Sequence, residues 1–495
     1  MSKPDPSTSN VSEEVARRTI AGARWVMILN LSTFPLSFFT NAILGRVSPR
    51  ALGAYGAIAL FAGMISTFVI IGGPKVFTRF VPVIDRRDRF PFLLTYSSIV
   101  LALMLAIAGL AIFVYPASVP WALGRFGEPP LGLALFFALT VALVGFLNHF
   151  LWGVLEAARA AITLRAIVVG FFLCAVLGLG PLKRHLAQDP VGFLWLAAPT
   201  IYASAVILGA VFVARTKESR EPGRLRWFLP AGFWEVVLFT YLESLIVFVY
   251  SSLSPVLVLF WLDVTSLGYL HAALRWVVLL DTIPSMLTVV LSPGLARLQA
   301  AGEQEEGLRQ AAAVMKASVL VSCPVVLVLT FFAPQAMAVF GPEFRSSADL
   351  LRILAPIGLA GSVIHLGSGM LVALGAVRAY LLASIAYVLA ALGLTFGLIP
   401  SLGLIGAALA ATLGAWLNQL VVATVLRARF GFRIPGRIHV AWACCGSATL
   451  SAWGFDPGWI ASAALCVLFL GVFAFAGRVS RHEIVTAVRR LAGRR

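Results

Sequence analysis

Fourteen apolar runs, nearly all long enough to cross a bilayer, decide what this chain can fold into. They lie near 24–44, 55–74, 92–114, 131–153, 162–182, 191–213, 234–258, 268–291, 313–333, 350–374, 379–399, 404–426, 439–455 and 458–476. A hydrocarbon core takes about 20 residues of helix, and only the run at 439–455 falls short of that. None alternates with period two as a barrel strand does, and within lipid only helices and closed barrels satisfy every backbone group. The expected fold class is therefore all-α: a polytopic membrane protein of about 14 transmembrane helices. Composition agrees, with 60% apolar and 12% charged residues against roughly 25% charged in soluble domains. The polar first ten residues carry no cleavage-site pattern before a short apolar core, so no removable signal peptide is expected.

The charges orient the chain. With a cytoplasmic N-terminus, about four-fifths of the 38 basic residues fall in inside segments, and Arg275 falls inside a span. The positive-inside rule then places both termini in the cytoplasm. The net charge of +17 is scattered over short loops, not gathered on a soluble module. Nucleic acid is therefore not an expected partner, whereas anionic phospholipids of the inner leaflet are. The tail 478–495, with Ile484, Val485, Val488 and Leu491 at helical spacing, reads as an amphipathic helix on that surface. All five cysteines sit in apolar runs without a Cys-x-x-Cys spacing, so neither a metal nor a disulfide framework is expected, and no cofactor is implied.

The chain also repeats itself. Arg46-Val-Ser-Pro-Arg-Ala-Leu-Gly53-Ala-Tyr55 is echoed by Asp263-Val-Thr-Ser-Leu-Gly268-Tyr269; Arg159 is matched by Arg378 and Pro181 by Pro400. Two same-order halves predict two six-helix lobes around a central cavity, plus two extra C-terminal helices, an architecture seen in transporters. The divisions expected are a cytoplasmic N-terminal segment 1–23, an N-lobe 24–214, a Pro-Gly-broken linker 215–233, a C-lobe 234–427, two further spans in 428–477 and the basic tail 478–495. Pro35, Pro74, Pro255, Pro284 and Pro293 fall on the first two helices of each half, where a kink could help open a cavity.

The pattern Leu44-Gly-Arg46…Leu52-Gly53-Ala-Tyr55, Gly72-Gly73 with Arg79 following, Leu267-Gly268-Tyr269…Ala272-Ala273 and Leu291-Ser-Pro293 resembles the polysaccharide flippase family. So do Phe340-Gly341-Pro-Glu-Phe…Ala348…Leu351 and Gly403-Leu-Ile-Gly406-Ala-Ala408. That family belongs to the multidrug/oligosaccharidyl-lipid/polysaccharide exporter (MOP) superfamily, and the resemblance runs over about residues 20–430. It implies a protein of the cell inner membrane, expected to be a monomer, that moves a polyprenyl-diphosphate-linked glycan from the cytoplasmic to the outer leaflet for surface polysaccharide such as lipopolysaccharide. In the related lipid II flippases, basic cavity residues carry substrate binding, and one on the eighth span corresponds to Arg275.

Such a substrate needs cations in a wet cavity, and arginine's planar fork binds phosphate bidentately. Arg275, about seven residues or roughly 10 Å into its span, costs about 2.5 kcal/mol or more unless it faces protein or water. It is the first substrate-binding candidate. Arg24, Arg46 and Arg79, at span ends, are further candidates or headgroup anchors, and His271 shares a helical face with Arg275. Arg159 and Arg378, faithfully repeated, fit a shared structural task better than substrate contact. Glu243 and Asp281 are intramembrane acids, suited to proton or sodium coupling or to a structural polar contact, with Glu243 the expected partner of Arg275. For His149, His365, Asn41, Asn148 and Asn418 an interhelical hydrogen bond is expected, and the tryptophans near span ends read as an interfacial belt. The alternative function is a cation-coupled multidrug antiporter of the same superfamily. An enzyme is not expected, and no catalytic residue is named, because the outer loops carry only isolated acids.

Overall fold

The computed structural model describes residues 34–69, 76–77, 80–81, 84–114, 124–126, 129–154, 157–216, 226–300, 303–374, 376–452 and 458–477. The described residues are helical with no strand, and each apolar run coincides with helix over at least part of its length. The long helices are α1 (34–47), α2 (Pro49–Met64, continued by a π-helical turn Ile65–Val69), α3 (Arg86–Val114), α4 (Leu131–Gly153), α5 (Ala157–Leu179) and α6 (Pro190–Ala214). They are followed by α7 (Phe233–Trp261), α8 (Val264–Ala300), α9 (Gln304–Phe331), α10 (Ile357–Ala373), α11 (Val377–Phe430), α12 (Gly436–Ala452) and α13 (Trp459–Ala476). Among the described residues eight helices are long and apolar enough to span a membrane, or nine when Pro342–Leu354 and Ile357–Leu371, bent by 41°, count as one. The chain is a multi-pass membrane protein.

The echo in the sequence marks equivalent helix starts. Ser48, four residues before Leu52-Gly53, accepts a hydrogen bond from the Ala51 backbone N–H at 3.0 Å and caps α2, with Pro49 in the first turn. Asp263, four residues before Leu267-Gly268, accepts from the Ser266 N–H at 2.7 Å and from its hydroxyl at 3.2 Å at the start of α8. Both side chains satisfy donors that a helix N-terminus leaves unpaired. Proline is not confined to the leading helices: Pro91, Pro199, Pro324 and Pro400 lie inside α3, α6, α9 and α11.

Runs 379–399 and 404–426 form one 54-residue helical element, α11, turned at Gly403, where φ is +58° and ψ is −131°. That backbone favours glycine. Three residues on, a Cβ at Gly406 would collide with the backbone carbonyl of Leu398. The Gly403…Gly406 pair is thus a requirement of a tight turn between two spans.

The chain divides into two compact units, one ending at Phe248 and the other beginning at Val249, so the divide falls within α7. The first unit is built on aromatics. Phe61 stacks on Phe137 at 5.9 Å, and Trp195 meets both edge-on at 5.4 and 5.6 Å. Trp195 is buried and donates from Nε1 to the Phe126 carbonyl at 2.7 Å. It belongs to the core and not to the interfacial belt, because its indole N–H finds an internal acceptor. A second cluster gathers Phe77, Phe92, Tyr96 and Phe146 with Phe233 and Val237 of α7. The segment entering α7 is held on α3 by Arg226, 2.9 Å from Asp88, and by the Phe228 N–H, which donates to Thr95 Oγ1 at 3.1 Å.

In the second unit one core joins α9, α10, α12 and α13, through residues such as Met315, Val363, Met370, Cys445, Ala448 and Phe473. Ser318 and Ser362 hydrogen-bond across α9 and α10 at 2.9 Å, and Cys323 Sγ lies 3.8 Å from Cys445 Sγ between α9 and α12. Arg437, at the start of α12, donates to the Gly477 carbonyl at the end of α13 at 2.7 Å. The motif Phe340-Gly-Pro-Glu-Phe344 is a packing device: both phenylalanines are fully buried, and Phe344 meets Tyr269, and Phe340 Trp276, edge-on against α8.

Candidate functional site

Helix α8 carries two polar pairs on different faces. Leu270, Leu274, Val277 and Asp281 follow one another at helical spacing and line a cavity of about 180 Å³ within the second unit, with Ser254 of α7 and Tyr387 of α11 among the other walls. His271 and Arg275 lie on a face roughly 100–140° away at about 100° per residue, and neither lines that cavity.

On the cavity face, Asp281 Oδ2 is 2.9 Å from His365 Nε2 on α10. The approach depends on Gly361, one turn before His365, where a Cβ would collide with Asp281 Oδ1. Oδ1 itself is buried without a hydrogen-bond partner among the described residues. Such an oxygen takes a hydrogen-bond donor, a water or a cation. The carboxylate thus has one oxygen tied to a titratable group and one buried against Gly361.

On the other face, Arg275 donates to His271 through both Nε, at 3.1 Å, and Nη2, at 2.8 Å, converging on Nε2. A guanidinium has only donors, so the imidazole must accept there, which makes it neutral with its proton on Nδ1. This contact orients the arginine without neutralising it. His271 is buried, and Arg275 is partly exposed.

Of the other candidates, Arg46 is exposed at the end of α1. Arg24 and Arg79 lie outside the described residues, as does the tail 478–495. Glu243 lies on α7 with its side chain outside them, so its pairing with Arg275 falls there too. The repeated arginines Arg159 and Arg378 occupy matching places, the first turns of α5 and α11. Sequence reasoning placed His365 among generic hydrogen-bonding residues and missed its pairing with Asp281; the signal was Gly358, Gly361 and His365 on one face of α10. Arg352, within the apolar run 350–374, is 4% exposed and donates to Asp349 at 2.8 Å. Among the described residues no three His, Cys, Asp or Glu side chains converge on a metal position.

No protein-family model matches the chain, and no curated protein sequence matches it. Solved structures do. The lipid II flippase MurJ, in its inward closed conformation, superposes with a TM-score of 0.68 at 14% identity, covering 92% of this chain and 98% of that one. An inward-facing multidrug resistance MATE family transporter of the MOP superfamily gives 0.59 at 16% identity, covering 82% and 98%. A MATE protein in complex with MaL6 gives 0.51 at 17% identity, covering 84% and 95%.

Proposed function

We propose that this chain, whose fold is that of the MOP-superfamily transporters, flips a lipid-diphosphate-linked oligosaccharide from the cytoplasmic to the outer leaflet by alternating access, for surface polysaccharide. It acts in the cell inner membrane with both termini in the cytoplasm. The fold is common to flippases and multidrug transporters, so the choice rests on the chemistry of the chain. The observation that carries it is the place of Arg275, a partly exposed arginine on α8 within a membrane span, where a positive charge suits an anionic substrate. Arg24, Arg46 and Arg79 at span ends are the further cations for the diphosphate's path. Asp281, with its one unsatisfied oxygen, is the site proposed for proton or sodium coupling, with Glu243 as a second.

The same oxygen favours the second reading, a cation-coupled multidrug antiporter, since a carboxylate in a small cavity also suits a cation. Substituting Arg275 separates them. In proteoliposomes holding a fluorescent lipid-diphosphate oligosaccharide, Arg275→Ala should slow leaflet transfer at least ten-fold and leave any efflux of organic cations unchanged. Transfer at the full rate would remove Arg275 from the mechanism.

A further inference from the structure

We propose that Arg165 on α5 is a binding site for one anionic phospholipid of the inner leaflet, with the phosphate held by the guanidinium and an acyl chain lying along the helix. The inference goes beyond the transport reading: it uses only the orientation proposed above and holds for a flippase and an antiporter alike. Arg165 lies six residues, or roughly 9 Å, inside the apolar span Arg159–Leu179. The helix α5 carries no acid, and among the described residues Arg165 makes no ion pair. Its Nε is buried without a hydrogen-bond partner among them. An arginine at such depth is unfavourable unless it meets water, protein or an anion, and no described carboxylate meets it.

The helix face around Arg165 has the order of a lipid. Ile162, Val169, Leu173 and Val176 are exposed and stand within about 80° of Arg165 at about 100° per residue. The packed side of α5 is elsewhere: the buried Ala160, Thr163 and Phe171 lie about 120–160° round the helix, with Phe171 edge-on to Tyr55 of α2 at 5.1 Å. From Arg165 to Val176 the apolar stripe runs roughly 16 Å toward the outer end. A helical side chain leans toward the helix N-terminus, which for α5 is the cytoplasmic end in the proposed orientation, and a long basic stem carries its charge further that way. A cation nearer the cytoplasmic surface, followed by an apolar stripe, matches the head and tail of an inner-leaflet phospholipid. One guanidinium meets the single charge of a phosphodiester bidentately. A diphosphate carries more charge and needs a second cation, and Arg159, about 120° round the helix, is not on this face. In a zwitterionic lipid the headgroup's own cation offsets the phosphate, so the site should select anionic lipid.

The test reads which lipid sits at this face in the full-length chain. A genetically encoded fluorescent amino acid in place of Val169 is quenched by dibrominated phosphatidylglycerol or dibrominated phosphatidylcholine in mixed bilayers, which gives their relative affinity at that position. With Arg165 in place, phosphatidylglycerol should be preferred about five-fold, the factor expected of one arginine near the surface. Arg165→Gln and Arg165→Leu should bring the ratio to about one, and Arg165→Lys should keep most of the preference because the charge remains. Raising the salt to about 1 M should lower the preference without any change at 165, because screening weakens a pair open to solvent. Farnesyl diphosphate should displace the brominated phosphatidylglycerol no better than plain phosphatidylglycerol does. A ratio near one with Arg165 in place, a preference that survives Arg165→Gln, or indifference to salt would overturn the site; stronger displacement by farnesyl diphosphate would overturn the phospholipid and give the position to a lipid diphosphate. Each ratio is read without transport, so its outcome is distinct from that of the flippase reading.

Discussion

Asp281 meets His365 across the gap that Gly361 leaves between α8 and α10. Burial can be read from one helix, whereas pairing needs to know that α8 and α10 are neighbours and that Gly361 opens the gap between them. A side chain at 361 should therefore act through Asp281. Gly361→Val is expected to abolish coupled transport as fully as Asp281→Asn does, measured as the response of transfer to imposed proton and sodium gradients. Asp281→Asn should retain farnesyl diphosphate binding, because the Arg275 face of α8 is separate. Full gradient response in Asp281→Asn would remove that carboxylate from coupling.

Among the elements, the internal repeat shows in the sequence as the echo of the segment Arg46–Tyr55 in Asp263–Tyr269. The structure gives those positions a more local meaning, since Ser48 and Asp263 are the equivalent residues and both cap a helix. Ser48→Ala and Asp263→Ala should each lower stability by about 0.5–2 kcal/mol, read as melting temperature in detergent, without changing substrate preference. The Gly403…Gly406 motif, which carried part of the family resemblance, is likewise explained by a turn. Gly403→Ala should cost about 1–3 kcal/mol because the backbone there has positive φ. Gly397→Ala, in the same element with open space around it, should be neutral or stabilising by up to about 1 kcal/mol. Similar melting losses for both substitutions would contradict the turn argument.

For the whole molecule, hydropathy was enough to read an all-helical membrane protein, because run length and the absence of alternation leave no other fold for lipid. It could not show which helices share a core. Runs 439–455 and 458–476 have no counterpart in the repeat and look like an appendage, yet Cys445, Ala448 and Phe473 pack in one core with α9 and α10, and Arg437 ties the two helices together. A chain ending after Gly431 should therefore aggregate on size exclusion, whereas one ending after Gly477 should stay monodisperse. The substrate, unlike the fold, rests on a few side chains, so it is best tested with cargo. Purified protein in proteoliposomes can be given a fluorescent lipid-diphosphate oligosaccharide and, separately, a fluorescent organic cation, with movement of each followed under the same gradients. The account predicts protein-dependent transfer of the lipid-linked sugar between leaflets and none of the cation; transport of the cation with no transfer of the sugar would contradict it.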